Sequence, residues 1–507
     1  MNKVILAASL STPVSLLSDE IASLPEEVEW LEVRADLAGE NDYGWLRNHT
    51  RGQLLYTLRS RDEGGNFDGS PRERHSLLFQ AAHRYELIEM EGERDLTSDL
   101  LAAIPPHKRI ISWHGPCESV SSLKARFDKL SAVEARAYKI ITRSRCAADD
   151  LAPLCLLKSI GRRDLIAYAA GQTGFWNQLV AARLGAPVIF GAVSKEKRGR
   201  GEPTITQLIE DYGLPHLTPF EEIYGIAGSP VHHSLSPRLH NAAYRAHGRS
   251  ALFVPFHVES FQSFWNEVVM SGTLEELGLS IKGLTVVSPH KEEAMSSAKE
   301  SSPMVLRAGS TNIFVRTNGH WTADTTDPEG VVIAIEERGI EIKGRRAAVI
   351  GCGGAGRAVA AALDQAGADV TIVNRGRERG HLAVRLLGLP FVPLSDFSAD
   401  GFSIVVNATP VGRDDGQMPF AVEGLSRDAV VVDLAYGQNP TPLIASAVAQ
   451  GQVAIDGREV LLIQVRHQFH LMTGKEMPDD LARSLIGCGA EFVTARKAAA
   501  LPSARSV

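Results

Sequence analysis

This sequence has few cysteines, no excess of basic over acidic residues and no long hydrophobic run, and each absence excludes a class of protein. The chain of 507 residues has five cysteines, scattered and without a CxxC pair, which argues against a disulfide framework and a structural zinc site. A formal net charge of −7 and the lack of a long basic run exclude an electrostatic surface for nucleic acid. No stretch reaches the ~18 apolar residues that cross a bilayer, so we expect no membrane segment. We also expect no metal.

The N-terminal segment, residues 1–20, carries one lysine and a short apolar run. A signal peptide is the alternative, but acidic residues follow quickly and no small-residue cleavage site is evident, so we predict a first β-strand. Together with the scattered cysteines, this indicates a cytoplasmic protein. A composition of 44% hydrophobic and 22% charged residues is ordinary for a globular protein of several domains.

The first 220 or so residues alternate short apolar runs with segments of helical character. Runs rich in β-branched and aliphatic residues predict eight strands, at 4–10, 28–36, 53–60, 85–91, 108–115, 135–144, 164–170 and 186–193. Strands that alternate with helices pair in parallel through right-handed crossovers. Eight such units in this length are typical of a (β/α)8 barrel, with an open doubly wound sheet as the alternative.

Several polar side chains lie in these predicted strands or just after them, and the active sites of such barrels lie at the carboxyl ends of the strands. Lys139 stands inside an apolar strand and would point into the barrel, where burial disfavours its charged form and makes the amine a nucleophile. His114, one strand away, would move protons, and Glu63 would fix its orientation. The alternative is a structural ion pair between Lys139 and Glu91 or Glu32.

The segments EVRAD, TLRSRDEGG, SWHG, YKIITRS and GQTGFWNQL…FGAV resemble, in order and spacing, the type I 3-dehydroquinate dehydratases over nearly all of residues 1–215. The resemblance implies that Lys139 forms a Schiff base with a substrate ketone. It implies that His114, paired with Glu63, transfers the proton from the neighbouring carbon to the leaving hydroxyl. The substrate-binding residues that it implies are Ser9, Glu32, Arg34 and Arg59, and we add Gln178, Arg198 and Glu202 as candidates at positions where the chain departs from the family.

Two places depart from that family's pattern. Gln178 stands where the family has an arginine that binds the substrate carboxylate, and a neutral amide cannot replace a bidentate guanidinium. The closing loop reads Arg198-Gly-Arg-Gly-Glu202 where the family has S-A-P-G-Q. We hypothesise that Arg198 or Arg200 supplies the missing charge, and the alternative is a weak or inactive barrel.

A new pattern begins after residues 211–222, which contain two prolines and no periodicity and so predict a domain boundary. Ser234 and Ser236 precede a helix, where they would bind an anion or simply cap the helix. Lys291 and Asp327 fall in turns after short strands. Either one alone would be typical of a solvated surface charge.

A glycine-rich turn lies between an apolar strand and a helix at residues 349–359. Gly351, Gly353 and Gly356 match G-x-G-x-x-G, in which the glycines allow phosphates to approach and the helix N-terminus supports their charge. A structural glycine turn is the alternative. The following strand ends at Asn374 and is followed by Arg375, Arg377 and Arg379, where an NAD site has Asp or Glu. These cations suit a 2′-phosphate, so we predict NADP.

The motifs SLSPRLHN, PHKEEA, STN, TTD, GCGGAGRA, NATPVG and TPL occur in the order of the shikimate dehydrogenases over about residues 222–500. The resemblance implies Lys291 and Asp327 as the catalytic pair of an NADP-dependent oxidoreductase. The substrate-binding residues that it implies are Ser234, Ser236, Thr285, Asn312, Tyr436 and Gln464. The implied cofactor-binding residues are Gly351, Gly353, Gly354, Ala355, Gly356, Asn374, Arg375, Arg379, Asn407, Ala408, Thr409 and Gly457. Departures are Val287 for a threonine and Arg458-Glu459-Val460 for a Gly-Met run.

The sequence therefore predicts an α/β protein of three parts: a (β/α)8 barrel over 1–217, a substrate-binding domain over 222–330 completed by C-terminal helices at 476–500, and a Rossmann NADP-binding domain over 331–475. The two resemblances imply consecutive reactions, the dehydration of 3-dehydroquinate and the NADPH-dependent reduction of 3-dehydroshikimate to shikimate. Two alternatives stay open: a quinate/shikimate dehydrogenase with a weak barrel, and a barrel that serves only folding or assembly. We expect small-molecule partners, without nucleic acid or membrane, and leave the oligomeric state open.

Overall fold

The structure is a computed structural model that describes residues 2–39, 41–194, 202–437 and 439–487. The chain divides into two compact units, Met1–Gly225 with Ser229–Ile281, and Ile226–Gly228 with Lys282–Val507. The domain boundaries that the sequence suggests stay predictions. In the described residues, no helix has the length and apolar character needed to cross a membrane.

The first part of the chain alternates strands and helices as its sequence pattern indicates. Its strands are β1 (Asn2–Lys3), β2 (Ile5–Leu10), β3 (Val28–Arg34), β4 (Gln53–Thr57), β5 (Leu87–Glu91), β6 (Arg109–Pro116), β7 (Ala137–Arg143), β8 (Leu165–Ala170), β9 (Val188–Ala192) and β10 (His216–Leu217). Its helices are α1 (Ser18–Ala22), α2 (Ala35–Ala38), α3 (Tyr43–His49), α4 (Pro71–Ala82), α5 (Ser98–Ala103), α6 (Val120–Leu130), α7 (Ala152–Ile160), α8 (Phe175–Arg183) and α9 (Ile205–Tyr212). Strands β2 to β9 form one sheet in the order β8-β7-β6-β5-β4-β3-β2-β9, and its neighbouring strands run parallel.

The apolar inner faces of these eight strands meet in a single core, which makes the sheet a barrel. The core residues are Ala7, Trp30, Leu55, Leu87, Ile110, Ala137, Ile166, Val188 and Phe190. Because residues two apart on a strand share a face, the side chains of Glu32, Glu89 and Lys139 enter the same interior one layer further along. The predicted (β/α)8 architecture is confirmed.

The barrel has a seam, since β8 and β9 stand at the two ends of the strand order. Helix α8 connects these strands and places two amide side chains along the seam. Asn177 Oδ1 accepts a hydrogen bond from the Ala169 backbone N–H at 2.8 Å, and Gln178 Oε1 accepts one from the Phe190 backbone N–H. Buried N–H groups need acceptors, so these amides satisfy donors on both strands of the seam.

The rest of the chain contributes two more sheets. Its strands are β11 (Glu222–Gly228), β12 (Ala251–His257), β13 (Ser280–Val286), β14 (Glu300–Ser301), β15 (Ile313–Thr317), β16 (His320–Asp324), β17 (Arg346–Ile350), β18 (Asp369–Asn374), β19 (Phe391–Pro393), β20 (Ile404–Asn407), β21 (Val430–Asp433) and β22 (Val453–Ile455). Its helices are α10 (Ser236–Ala246), α11 (Phe261–Phe264), α12 (Thr273–Glu276), α13 (Pro303–Ala308), α14 (Asp327–Glu336), α15 (Gly354–Gln365), α16 (Arg377–Leu387), α17 (Pro442–Ala449), α18 (Gly457–Thr473) and α19 (Asp479–Ile486). The sheet orders are β12-β11-β13-β15-β16-β14 and β19-β18-β17-β20-β21-β22.

The second of these sheets is parallel and has the strand order of a dinucleotide-binding Rossmann fold. Both faces of its central strand β17 are buried: Ala347 and Val349 enter one core, and Ala348 and Ile350 enter the other. This burial explains why its sequence is a continuous apolar run. The strand order reverses direction at β17, so the turn after it is where such folds bind ligands.

Candidate active sites

Polar side chains at the carboxyl ends of the barrel strands line a cavity of about 490 Å³. The structure brings together there most of the residues that the sequence suggests for the first site. They are Ser9, Glu32, Arg34, Arg59, Glu63, His114, Lys139, Gln178 and Glu202. Arg198 and Arg200 lie outside the described residues.

Lys139 lies at the base of this cavity, where it is only 2% exposed. Its Nζ is 2.9 Å from Glu89 Oε2, 3.3 Å from Glu32 Oε1 and 4.3 Å from the centre of the Phe190 ring. Arg59 adds a second cation, with Nη2 3.3 Å from Glu89 Oε1. Burial raises the pKa of both carboxyls, but Lys139 and Arg59 outweigh it and bring each pKa to about 2. Two buried cations thus face two buried carboxylates.

Of the two ion-pair partners suggested for Lys139, Glu32 is confirmed at 3.3 Å and Glu91 is wrong. Glu91 accepts hydrogen bonds from Ser60 N and Oγ at 2.7 and 2.8 Å and pairs with Arg94 at 3.0 Å. Glu89 takes the place near Lys139. Barrel strands are tilted and staggered, so side chains at one height come from different positions along neighbouring strands. The sequence alone does not give that stagger.

His114 and Glu63 form the second element of this site. Glu63 Oε2 lies 2.9 Å from His114 Nδ1 and accepts the backbone N–H of His114 at 3.0 Å, which fixes the ring. Burial, together with Arg59 and Lys139, lowers the pKa of His114 well below its ordinary value. Burial, together with Glu91 and Glu89, raises the pKa of Glu63 to about 9. A neutral imidazole results, and its buried Nε2 has no hydrogen-bond partner among the described residues.

Arg34 and Gln178, which also line the cavity, have protein partners. Arg34 holds Asp36 through two hydrogen bonds, of 2.9 and 2.8 Å. The carbonyl oxygen of Gln178 is used by the seam of the barrel. Because of these partners, neither the Arg34 guanidinium nor the Gln178 oxygen is reserved for a ligand.

The second site is centred on Asp327, the first residue of α14. Its Oδ2 is 2.6 Å from Lys291 Nζ, and its Oδ1 accepts hydrogen bonds from Asn312 Nδ2 at 3.0 Å and Gln464 Nε2 at 3.1 Å. The Asp327 side chain is 5% exposed and that of Lys291 17% exposed, so the ammonium can still reach a ligand. Four residues that the sequence suggests therefore meet here. A solvated surface charge, the alternative for Lys291 and Asp327, is wrong.

The glycine-rich turn lies directly against this pair. A β-carbon added to Gly354 would lie 3.0 Å from the β-carbon of Lys291 and 2.9 Å from that of Ser310. A β-carbon on Gly356 would overlap the carbonyl oxygen of Gly351, so this glycine allows α15 to pack on the turn. A β-carbon on Gly353 would meet nothing within 4 Å. The turn therefore leaves open space beside a helix N-terminus, as a bound pyrophosphate requires.

The residues beyond the turn also suit a dinucleotide. Asn374 Oδ1 accepts the Cys352 backbone N–H at 3.2 Å, which ties the end of β18 to the turn. Arg375 and Arg379 are exposed and form no ion pair with a described residue. Arg377 lies 4.0 Å from Asp396.

The remaining sites suggested by the sequence have the following surroundings. Asn407 Oδ1 accepts from Thr409 N and Oγ1 at 3.1 and 2.7 Å, and the Ala408 carbonyl faces Gly351. Gly457 begins α18 close to the Ala435 carbonyl, and Tyr436 is half-buried. Ala355 lies in the first turn of α15, and Thr285 is buried on β13. Ser234 Oγ accepts the Ser236 backbone N–H at 3.2 Å at the start of α10. The ligand contacts of these residues stay predictions.

Two family models match the two regions of the chain. Residues 9–219 match the family model for type I 3-dehydroquinase, and residues 226–314 match that for the shikimate dehydrogenase substrate binding domain. A shikimate dehydrogenase (NADP(+)) of Symbiobacterium thermophilum is 35% identical over 277 residues, which cover 52% of this chain and 92% of the relative.

The chain belongs to the shikimate dehydrogenase family. Its first part is a type I 3-dehydroquinase domain. A bifunctional 3-dehydroquinate dehydratase/shikimate dehydrogenase of Arabidopsis thaliana, described as chloroplastic, is 27% identical over 84% of this chain and 74% of its own length. A crystal structure of shikimate 5-dehydrogenase from Thermus thermophilus with NADP(H) and shikimate is 30% identical, covers 52% of this chain and 98% of its own, and has a TM-score of 0.47. Both predicted family memberships are confirmed.

Sequence reasoning missed one residue of the second site, Arg357. Its guanidinium is 1% exposed and donates to the carbonyls of Ala308, Cys352 and Gly309 at 2.7, 2.9 and 3.1 Å. It also lies 3.2 Å from Glu292, the neighbour of Lys291. Arg357 therefore joins the glycine turn to the segment that carries Lys291. The available signal was a lone arginine in the apolar helix sequence RAVAAAL.

Proposed function

We propose that this chain is a bifunctional enzyme that dehydrates 3-dehydroquinate to 3-dehydroshikimate in the barrel and reduces 3-dehydroshikimate to shikimate with NADPH in the second part. One observation carries the proposal. A single chain holds a buried Lys139 beside the His114–Glu63 pair, and also a Lys291–Asp327 pair against a dinucleotide-type glycine turn. The printed name of the bifunctional plant relative gives it further support.

In the barrel, the amine of Lys139 attacks the substrate ketone, and loss of water leaves an iminium. Glu89 Oε2, 2.9 Å away, holds the nitrogen in place, and the ammonium must lose a proton before it attacks. An iminium withdraws electrons and so acidifies the adjacent C–H bond. His114 Nε2 accepts that proton while Glu63 holds the opposite side of the ring. His114 then protonates the leaving hydroxyl, and hydrolysis of the iminium frees Lys139 and the product.

In the second part, the residues present fit NADP. The turn from Gly351 to Gly356 and the N-terminus of α15 would hold the pyrophosphate, and Arg375 and Arg379 would hold the 2′-phosphate. When bound, the reduced nicotinamide supplies the hydride. Lys291 donates a proton to the carbonyl oxygen of the substrate, and Asp327 holds the ammonium at 2.6 Å. Asn312 and Gln464 fix the other oxygen of Asp327.

A coupled assay with the full chain tests the function. We expect 3-dehydroquinate and NADPH to yield shikimate and NADP⁺. Lys139→Met should abolish only the dehydration, and Lys291→Met should abolish only the reduction of added 3-dehydroshikimate. Lys158→Met, at an exposed position of α7, is the matched control and should retain both. Dehydration by the Lys139 variant at the wild-type rate, or an absence of shikimate from the wild type, would contradict the proposal.

The same proposal extends to partners and location. The net charge of −7 supports small molecules rather than nucleic acid as partners. The scattered cysteines support a reducing compartment, and we propose the cytoplasm.

A further inference from the structure

The barrel cavity contains a cation, Arg143, that has no part in the reaction steps described above. Arg143 is the last residue of β7, the strand that carries Lys139. The two are four residues apart, so their side chains leave the strand on the same face, with about 13 Å of strand between them. Arg143 lines the cavity together with Lys139 and Gln178.

The other cations that line this cavity are already neutralised by carboxylates. Lys139 and Arg59 face Glu32 and Glu89, and Arg34 is bound by Asp36. With the pKa of both glutamates at about 2, the two cations and two carboxylates at the base of the cavity balance in charge. Glu202, at the rim, adds a further carboxylate. An anionic ligand therefore needs another positive group.

The surroundings of Arg143 indicate that it is the positive group that an anionic ligand needs. It forms no ion pair with a described residue, and it is exposed at the mouth of the cavity. Its guanidinium lies over Gly64, because a β-carbon at Gly64 would come within 2.6 Å of Arg143 Nη1. Gly64 directly follows Glu63, the partner of His114. Arg143 thus extends from β7 across the mouth to the loop that orients the catalytic histidine.

Gln178 cannot supply the charge. Its side chain is a neutral amide, and its oxygen accepts the Phe190 backbone N–H across the seam of the barrel. A guanidinium at position 178 would have no lone pair with which to accept that bond. A cation at position 178 would leave the Phe190 N–H without the acceptor that it has here, and the neutral Gln178 is not the anion-binding group of this barrel.

We propose that Arg143 binds the carboxylate of the barrel's substrate and so sets its specificity for an acid. This inference rests on the proposed dehydration of 3-dehydroquinate, which is a carboxylate. The guanidinium holds the carboxylate at the mouth while the ketone reaches Lys139 at the base. Because Arg143 holds the carboxylate before and after bond breaking alike, it contributes to substrate affinity more than to the rate of the chemical step.

Steady-state kinetics of the full chain test this assignment. Arg143→Ala should raise the KM for 3-dehydroquinate about 10- to 100-fold, the range expected for loss of one charge-assisted contact, with kcat nearly unchanged. Arg143→Lys should recover part of the loss. The matched control is Arg145→Ala, an exposed arginine two residues further along that pairs with Asp149 at 3.4 Å and does not line the cavity. The carboxamide of 3-dehydroquinate is the second probe, and Arg143→Ala should lose most of the wild-type preference for the acid over the amide.

Borohydride reduction separates failure of this assignment from failure of the proposed function. With saturating 3-dehydroquinate, wild type and Arg143→Ala should both gain the mass of a reduced adduct on Lys139. An adduct together with a wild-type KM in Arg143→Ala would overturn the assignment alone. A raised KM in an Arg198→Ala/Arg200→Ala variant would then move the role to that loop. The absence of both adduct and turnover in the wild type would overturn the dehydratase function and the assignment with it.

Discussion

Replacing the buried carboxyl of Glu63 by an amide should make the barrel more resistant to unfolding as the pH rises. The pKa of Glu63 is raised from 4.5 to about 9, so the folded chain holds a proton that the unfolded chain has released over this interval. Stability falls with rising pH wherever the native state binds more protons. The cost is about 1.4 kcal/mol per pH unit, or at most about 4 kcal/mol between about pH 5.5 and 8.5.

The amide in Glu63→Gln cannot ionise, so this variant does not lose unfolding free energy in this way. The difference in unfolding free energy between variant and wild type should therefore grow across that range, in favour of the variant. His114 contributes with the opposite sign below its ordinary pKa, because its folded pKa is lowered, but this contribution is common to both proteins and cancels in the difference.

The assay is urea unfolding of both proteins at several pH values. The unfolding transition of the barrel is identified as the one that Lys139→Met also shifts. Glu63→Gln should also lower the dehydratase kcat about 100-fold, because a carboxyl can release its proton when His114 becomes charged and so stabilise the imidazolium, whereas an amide cannot. Reduction of 3-dehydroshikimate by the same chain is the internal control and should not change. Parallel pH profiles for the two proteins would refute the reasoning.

Three further outcomes follow from the structure. Asp327→Asn should lower the kcat of the reduction about 100-fold while leaving the KM for NADPH unchanged in initial-rate kinetics, because the lost charge holds the proton donor and not the nucleotide; an unchanged kcat would contradict this role. Arg375→Ala/Arg379→Ala should raise the KM for NADPH about 10- to 100-fold and leave the KM for NADH nearly unchanged, since only NADPH carries the 2′-phosphate; equal effects on both would argue against it. Gln178→Leu should destabilise the barrel by about 1–3 kcal/mol in urea unfolding, because the Phe190 N–H loses its acceptor; wild-type stability would show that the seam does not need the amide.

The architecture could be predicted because its signals are local. Each barrel strand is a short apolar run, and the alternation of strands and helices permits few topologies. The position of Lys139 in the interior followed from one residue's place in such a run. The strand–turn–helix context of Gly351 to Gly356 likewise located the dinucleotide-type turn.

Some partners of the site residues could not be predicted, because they depend on stagger and long-range packing. Glu89 and Glu91 are both acidic residues of β5, and only the tilt of the strands decides which one reaches Lys139. The acceptor role of Gln178 depends on a seam between strands that the sequence does not reveal. Arg357 looks like an ordinary helical arginine until its carbonyl partners are seen.

The central claim is that one chain uses two lysines for two different reactions. The most direct measurement is to treat the full chain with 3-dehydroquinate and borohydride, map the modified peptide, and assay the modified protein for both activities. The account predicts one adduct, on Lys139, with dehydratase activity lost and NADPH-dependent reduction of 3-dehydroshikimate retained. An adduct on another residue, or loss of both activities from modification of Lys139 alone, would contradict it.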